Sequence, residues 1–119
     1  MPALVLPVPA ELALAWHKGE LNDDVLLAAS NFLHPGELTL YIASIFGRRS
    51  WRELRDQCAV WSNAQGVIAR TSHPTVAAWL THYGGQRGFY DGDDQWRYFA
   101  PKIGFDAFLQ KTTHAIAPS

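Results

Sequence analysis

Apolar side chains recur with helical spacing through the stretch 51–62. They stand at offsets of 0, 3, 7 and 10 on one stripe of an α-helix, occupied by Trp51, Leu54, Cys58 and Trp61. Ser50 precedes the stretch, and Glu53 follows Ser50 at the spacing of a capping box, in which each side chain bonds a backbone N–H. The pattern therefore predicts a helix over 51–62 with a buried, tryptophan-rich face.

Five other segments have the spacing or the end signals of short helices. They are 10–18, 23–33, 37–46, 73–83 and 103–111. Asn22 and Ser72 are the expected N-caps of the second and fourth of these segments. The segment 37–46 also alternates like a strand, but Pro35 and Gly47 at its ends favour a helix. The run 67–69 is too short to classify.

Aromatic residues flank an acidic turn near the end of the chain. The sequence over 88–99 places Asp91 and Gly92 between two aromatic runs, which predicts a small β-hairpin around an Asp-Gly turn. Prolines in 1–9 favour an extended arm, and 113–119 is expected to be a mobile tail. The predicted fold is mainly α: one compact domain over 10–112, with five to six short helices and one hairpin.

Composition limits the class of protein. The chain has 119 residues, of which 48% are hydrophobic and 18% charged, so it is long enough and apolar enough for one globular core. A formal net charge of −1 excludes a generally basic nucleic-acid coat protein. Cys58 is the only cysteine, and no apolar run approaches the roughly 20 residues of a membrane span. These features predict a soluble, cytoplasmic protein that does not enter a membrane.

The sequence contains no pattern typical of a catalytic or metal site. Cys58 stands on the apolar stripe, where a thiol is an inert core residue. The five histidines form no HxxxH motif and have no partner cysteine pair. The acidic turn 91–94 lacks the alternating ligands of a calcium loop, and no glycine-rich phosphate loop is present. We therefore predict a non-enzymatic protein without metal or cofactor.

Arginine and aromatic side chains are the best candidates for binding. Arg49 with Glu53 and Arg52 with Asp56 can instead form ordinary surface pairs one helical turn apart. The expected function is a small binding or regulatory protein that contacts another protein or a second copy of itself, as a subunit, adaptor or inhibitor of a larger complex. The candidate contact residues are Arg48, Arg52, Arg55, Phe89, Tyr90, Trp96 and Tyr98.

A DNA-binding function is the alternative. The predicted order of helix 51–62, helix 73–83 and hairpin 88–99 is that of a winged helix-turn-helix. Its candidate DNA contacts are Arg87, Arg97, His73 and Thr75. Three observations place it second: the second helix has no arginine or lysine, the stretch 65–79 lacks the usual small residue and turn glycine at helix-turn-helix spacing, and the acidic hairpin tip would repel phosphate.

Overall fold

The computed structural model describes residues 4–30, 36–44 and 49–114, with 44, 49–51 and 111–114 described by their backbone alone. Five strands form one mixed sheet in the order β1-β2-β3-β5-β4. The strands are β1 (Leu4–Pro9), β2 (Leu38–Ser44), β3 (Gly66–Thr71), β4 (Gln86–Gly92) and β5 (Gln95–Pro101). Strands β2 and β3 are parallel, and the other neighbouring pairs are antiparallel.

Helices cover both faces of the sheet. They are α1 (Ala10–His17), α2 (Asp23–Ala29), α3 (Arg49–Val60), α4 (Pro74–His82) and α5 (Lys102–His114). One core cluster joins α1 and α2 to the sheet around the fully buried Trp16 and Leu26. The other joins α3, α4 and α5 to the opposite face around Leu54, Leu80 and Phe105. The described residues therefore form a three-layer α/β architecture.

The predicted mainly α fold is wrong, because the chain builds a five-stranded sheet. The segment 37–46, which we predicted to be a helix, contains strand β2, and the unclassified run 67–69 lies in β3. Both strands are central, with helices on both faces, so apolar residues follow one another and the strand-like alternation in 37–46 is too weak to decide against a helix. In β2, for example, the successive residues Leu40, Tyr41 and Ile42 are 0%, 6% and 5% exposed.

Several helix predictions agree with the structure. The segments 10–18, 51–62 and 73–83 correspond to α1, α3 and α4 within two residues at each end. The predicted cap of α2 is confirmed, since the side chain of Asn22 accepts a hydrogen bond from the Val25 amide at 3.2 Å. Helix α4 is capped by His73 instead of Ser72: Nδ1 of His73 accepts from the Thr75 amide at 3.1 Å.

Candidate functional site

Strands β4 and β5 form the predicted hairpin, but its turn lies two residues later than expected. Asp93 and Asp94 have φ angles of 51° and 60°, as the two central residues of a type I′ turn require. Asp91, predicted to be in the turn, belongs instead to β4. Its carboxylate is therefore held against the sheet and is not part of a solvated loop.

The pairing of β4 with β5 is irregular at two places. The pairing register shifts between Arg87 and Tyr90 and again between Tyr90 and Gly92. Extra residues in a bulged strand bend it and redirect its side chains. Phe89 and Asp91 both reach Arg97 of the neighbouring strand, on the face that α1 and α2 cover.

The guanidinium of Arg97 is enclosed on all sides, and the whole residue is 5% exposed. Its Nε and Nη2 donate to the two carboxylate oxygens of Asp91 at 2.7 and 3.0 Å. Its Nη1 donates to the carbonyl oxygens of Trp16 and Leu21 at 2.6 and 2.7 Å. The rings of Trp16 and Phe89 lie 4.7 and 4.9 Å from the guanidinium carbon. Arg97 thus fastens the hairpin to α1 and to the turn that follows it.

A second arginine extends this cluster towards solvent. Arg70 pairs with Arg97 across β3 and β5, and Arg70 Nη2 binds Asp23 Oδ2 at 2.6 Å. The other oxygen of Asp23 accepts from the indole N–H of Trp16 at 2.7 Å. Burial, together with the neighbouring Asp23 carboxylate, raises the pKa of the Tyr41 hydroxyl. Two arginines that would repel each other are therefore neutralised by two aspartates.

The ionisation of Asp91 follows from the same contacts. The hydrogen bonds and charge of Arg97 hold the pKa of the Asp91 carboxyl below its usual value, although burial acts in the opposite direction. The Asp91 carboxyl therefore remains ionised at neutral pH. The arrangement of the cluster is suited to rigid positioning of the hairpin and not to proton transfer.

The opposite face of the hairpin carries a second stack, which lies nearer to solvent. The guanidinium carbon of Arg87 lies 4.7 Å from the ring centroid of Trp96, and the rings of Trp96 and Tyr90 lie 4.9 Å apart. The hydroxyl of Tyr90 accepts from the Asp94 amide at 3.1 Å. Tyr90 is 45% exposed, and Phe89, on the Arg97 face of the same strand, is 43% exposed. We call the four residues Arg87, Phe89, Tyr90 and Trp96 the hairpin surface.

The arginines predicted on the central helix lie elsewhere. Arg48 falls outside the described residues, Arg52 is exposed, and Arg55 is half-buried. The buried Nε of Arg55 has no hydrogen-bond partner in the part of the chain that the structure describes. Helix α3 packs against β1, whereas the hairpin forms the other edge of the sheet. The structure therefore does not bring the two candidate surfaces together.

Other candidate residues have structural contacts. Tyr98 is 6% exposed and packs in the core, away from solvent. For the DNA alternative, β3 lies between α3 and α4, so the expected helix-turn-helix is not formed. Arg97 is buried, while His73 and Thr75 are exposed and make the cap of α4. Arg87 is thus the one arginine of that set with an exposed side chain.

The structure agrees with an unreactive Cys58. This side chain is completely buried between α3 and the sheet, and burial raises the pKa of its thiol to about 12. Among the described residues, no group of histidine, cysteine, aspartate and glutamate side chains could hold a metal ion.

Sequence reasoning missed the cluster of Asp23, Arg70, Asp91 and Arg97. Its members come from four separate elements, so no local spacing connects them. One signal was available in the sequence: Arg97 lies within the aromatic run of a predicted strand. A charged side chain on a covered face of a sheet requires a partner.

None of the helices in the described ranges is long and apolar enough to cross a membrane.

Comparison of the chain with protein-family models, with curated proteins and with solved structures found no match.

Proposed function

We propose that this protein is a non-enzymatic binding or regulatory domain that contacts another protein through the hairpin surface. The observation that carries the proposal is the pair of successive aromatic residues, Phe89 and Tyr90, each more than two fifths exposed on the edge strand of the sheet. Exposed aromatic rings beside an arginine have the composition of a binding hot spot.

The rigidity of the hairpin supports the same function. Tyr90 is held by its ring contact with Trp96 and by its hydrogen bond to the Asp94 amide. On the other face, Phe89 is held against Arg97, which is itself bound to Asp91 and to two backbone carbonyls. Side chains that are already fixed lose little conformational entropy when they bind a partner.

Position on the sheet gives the surface access to a partner. Among the strands that the structure describes, β4 has a neighbour on one side only, so the side chains on both of its faces lie at the rim of the sheet. The backbone N–H and C=O groups of this edge do not form a regular row for pairing with another strand. The register shifts twice along β4, and a ring nitrogen of His17 contacts the Gln86 carbonyl at 2.9 Å. We infer that side chains, and not an added strand, make the contact.

The test compares two double variants in affinity capture from the native lysate. Arg87→Ala with Tyr90→Ala removes two members of the hairpin surface and leaves the contacts of Arg97 intact. Leu14→Ala with Leu27→Ala is the matched control, since these α1 and α2 side chains are 45% and 41% exposed. A partner captured by wild type and by the control, and lost at least tenfold by the hairpin variant, is the expected result.

Equal capture by both variants would contradict the proposal. Purified duplex DNA forms a third arm of the experiment. Salt-sensitive binding of DNA that depends on Arg87 would assign the surface to nucleic acid instead.

A further inference from the structure

A cleft of about 340 Å³ opens where β2 and β3 begin and α3 ends. It is lined by residues 36–38 and 60–65. Backbone hydrogen bonds fix its walls: the Gln65 amide donates to the Leu38 carbonyl at 2.7 Å, and the Ala10 amide donates to the Glu37 carbonyl at 3.0 Å. The volume is near the lower end of the roughly 300–1,000 Å³ typical of small-molecule pockets, which suits a ligand of few atoms.

The charge among the described residues of this cleft is negative. Among the described residues that line it, Glu37 is the one charged side chain, and it is exposed. Helix α3 ends at Val60 in the same lining, and its last turn contains no basic residue. The C-terminus of a helix carries a partial negative charge equivalent to roughly half an elementary charge. The carboxylate and the helix end together favour a cation and disfavour an anion.

Apolar surface stands beside these negative groups. Val60 is 75% exposed, an unusual position for a valine at the end of a helix, and the half-buried Trp61 also lines the cleft. Tryptophan is the aromatic side chain that binds cations most strongly through its ring face. A ligand that combines a positive charge with a short carbon chain matches both parts of the lining.

We propose that this cleft binds an organic cation, an alkylammonium or alkylguanidinium group. The charge lies by the carboxylate of Glu37 and the end of α3, and the carbon chain packs on Val60 and Trp61. Such a group is supplied either by a free amine or by a lysine or arginine side chain of another protein. The cleft lies apart from the hairpin surface, which is at the β4 edge of the sheet.

The test is a titration followed by ¹H–¹⁵N NMR, with n-butylammonium chloride as the probe. The indole N–H of Trp61 and the side-chain amide of Gln65 should shift and saturate, whereas 1-butanol, which has the same chain without the charge, should give no saturable shift. A parallel titration with Nα-acetyl-lysine amide separates the two sources. Binding of this compound at least as tight as that of n-butylammonium indicates a protein side chain, and weaker binding indicates a free amine.

Two charge-matched variants decide the role of Glu37. Glu37→Gln should weaken binding of n-butylammonium at least fivefold, and Glu20→Gln, the same change at an exposed glutamate outside the cleft, should leave it within twofold. Val60→Lys adds a positive charge beside the cleft and leaves Glu37 in place. It should weaken binding of n-butylammonium at least fivefold. Absence of a saturable shift, equal binding of 1-butanol, or equal affinity in Glu37→Gln and Glu20→Gln would overturn the proposal.

Discussion

The guanidinium of Arg97 makes four hydrogen bonds and two ring contacts within a region that excludes most water. A buried charge is tolerated only when its donors are paired, and here one carboxylate and two carbonyls provide the pairing. The planar fork of arginine fits this geometry because Nε and Nη2 reach both oxygens of Asp91 at once. A lysine has a single charged nitrogen and no comparable fork.

Replacement of Arg97 should therefore destabilise the protein strongly. Arg97→Ala leaves Asp91 without its main partner, and we expect a loss of about 3–5 kcal/mol in the free energy of unfolding. Arg97→Lys should also be destabilising, since it keeps the charge but loses the bidentate bond. Urea denaturation measures the free energy of unfolding of both variants. Arg87→Ala, a change at an exposed arginine, is the control and should stay within about 0.5 kcal/mol of wild type. A loss below 1 kcal/mol in Arg97→Ala would show that the cluster contributes little.

At the scale of elements, the sequence predicted helices and the hairpin better than it predicted the sheet. Helix α3 has one buried face, with Leu54 and Cys58 fully buried and Arg52 exposed, so its period is visible in the sequence. Strand β3 is covered on both faces, and its successive residues Val67, Ile68 and Ala69 are each at most 3% exposed. Its pairing depends on β2 and β5, which are distant in sequence. No local pattern indicates such a strand.

The two candidate surfaces also differ in how far a local sequence pattern predicts them. The aromatic residues of the hairpin are adjacent in sequence to its turn, and they were predicted. The cleft combines the start of β2 with the end of α3, and its lining has no spacing that could be recognised before the fold was known. Neither could the bulges of β4 be predicted, because their position depends on the pairing with β5.

Close packing of α1 on β4 gives a prediction for a single glycine. A Cβ added to Gly88 would overlap the carbonyl oxygen and ring of His17 at the end of α1. Because backbone atoms cannot move aside cheaply, Gly88→Ala should separate α1 from the strand and cost about 1–3 kcal/mol in unfolding free energy. Chemical denaturation measures the loss, and hydrogen exchange should report faster opening along β4. Unchanged stability would mean that α1 moves freely against the sheet.

At the scale of the whole molecule, one charged cluster joins elements that are far apart in the chain. Asp23 belongs to α2, Arg70 to β3, Asp91 to β4 and Arg97 to β5. The ion pairs and hydrogen bonds between them connect the helical layer to three neighbouring strands. The attachment of α1 and α2 to the sheet therefore includes a component that depends on pH as well as the apolar contacts of Trp16 and Leu26.

This component has a definite sign, which acid unfolding can measure. The pKa of Asp91 is lower in the folded protein than its unfolded value of about 3.9. Its ionised form therefore stabilises the fold, the contribution is complete above about pH 4, and it is lost as the pH falls through the folded pKa. We expect the free energy of unfolding of wild type to decrease below about pH 4.

Asp91→Asn should be less stable than wild type at pH 7 and should lose less on further acidification. Asp94→Asn, the same change at an exposed carboxylate of the turn, should follow the wild-type curve. Parallel curves for wild type and Asp91→Asn would show that the Asp91 carboxylate is not a source of this pH dependence.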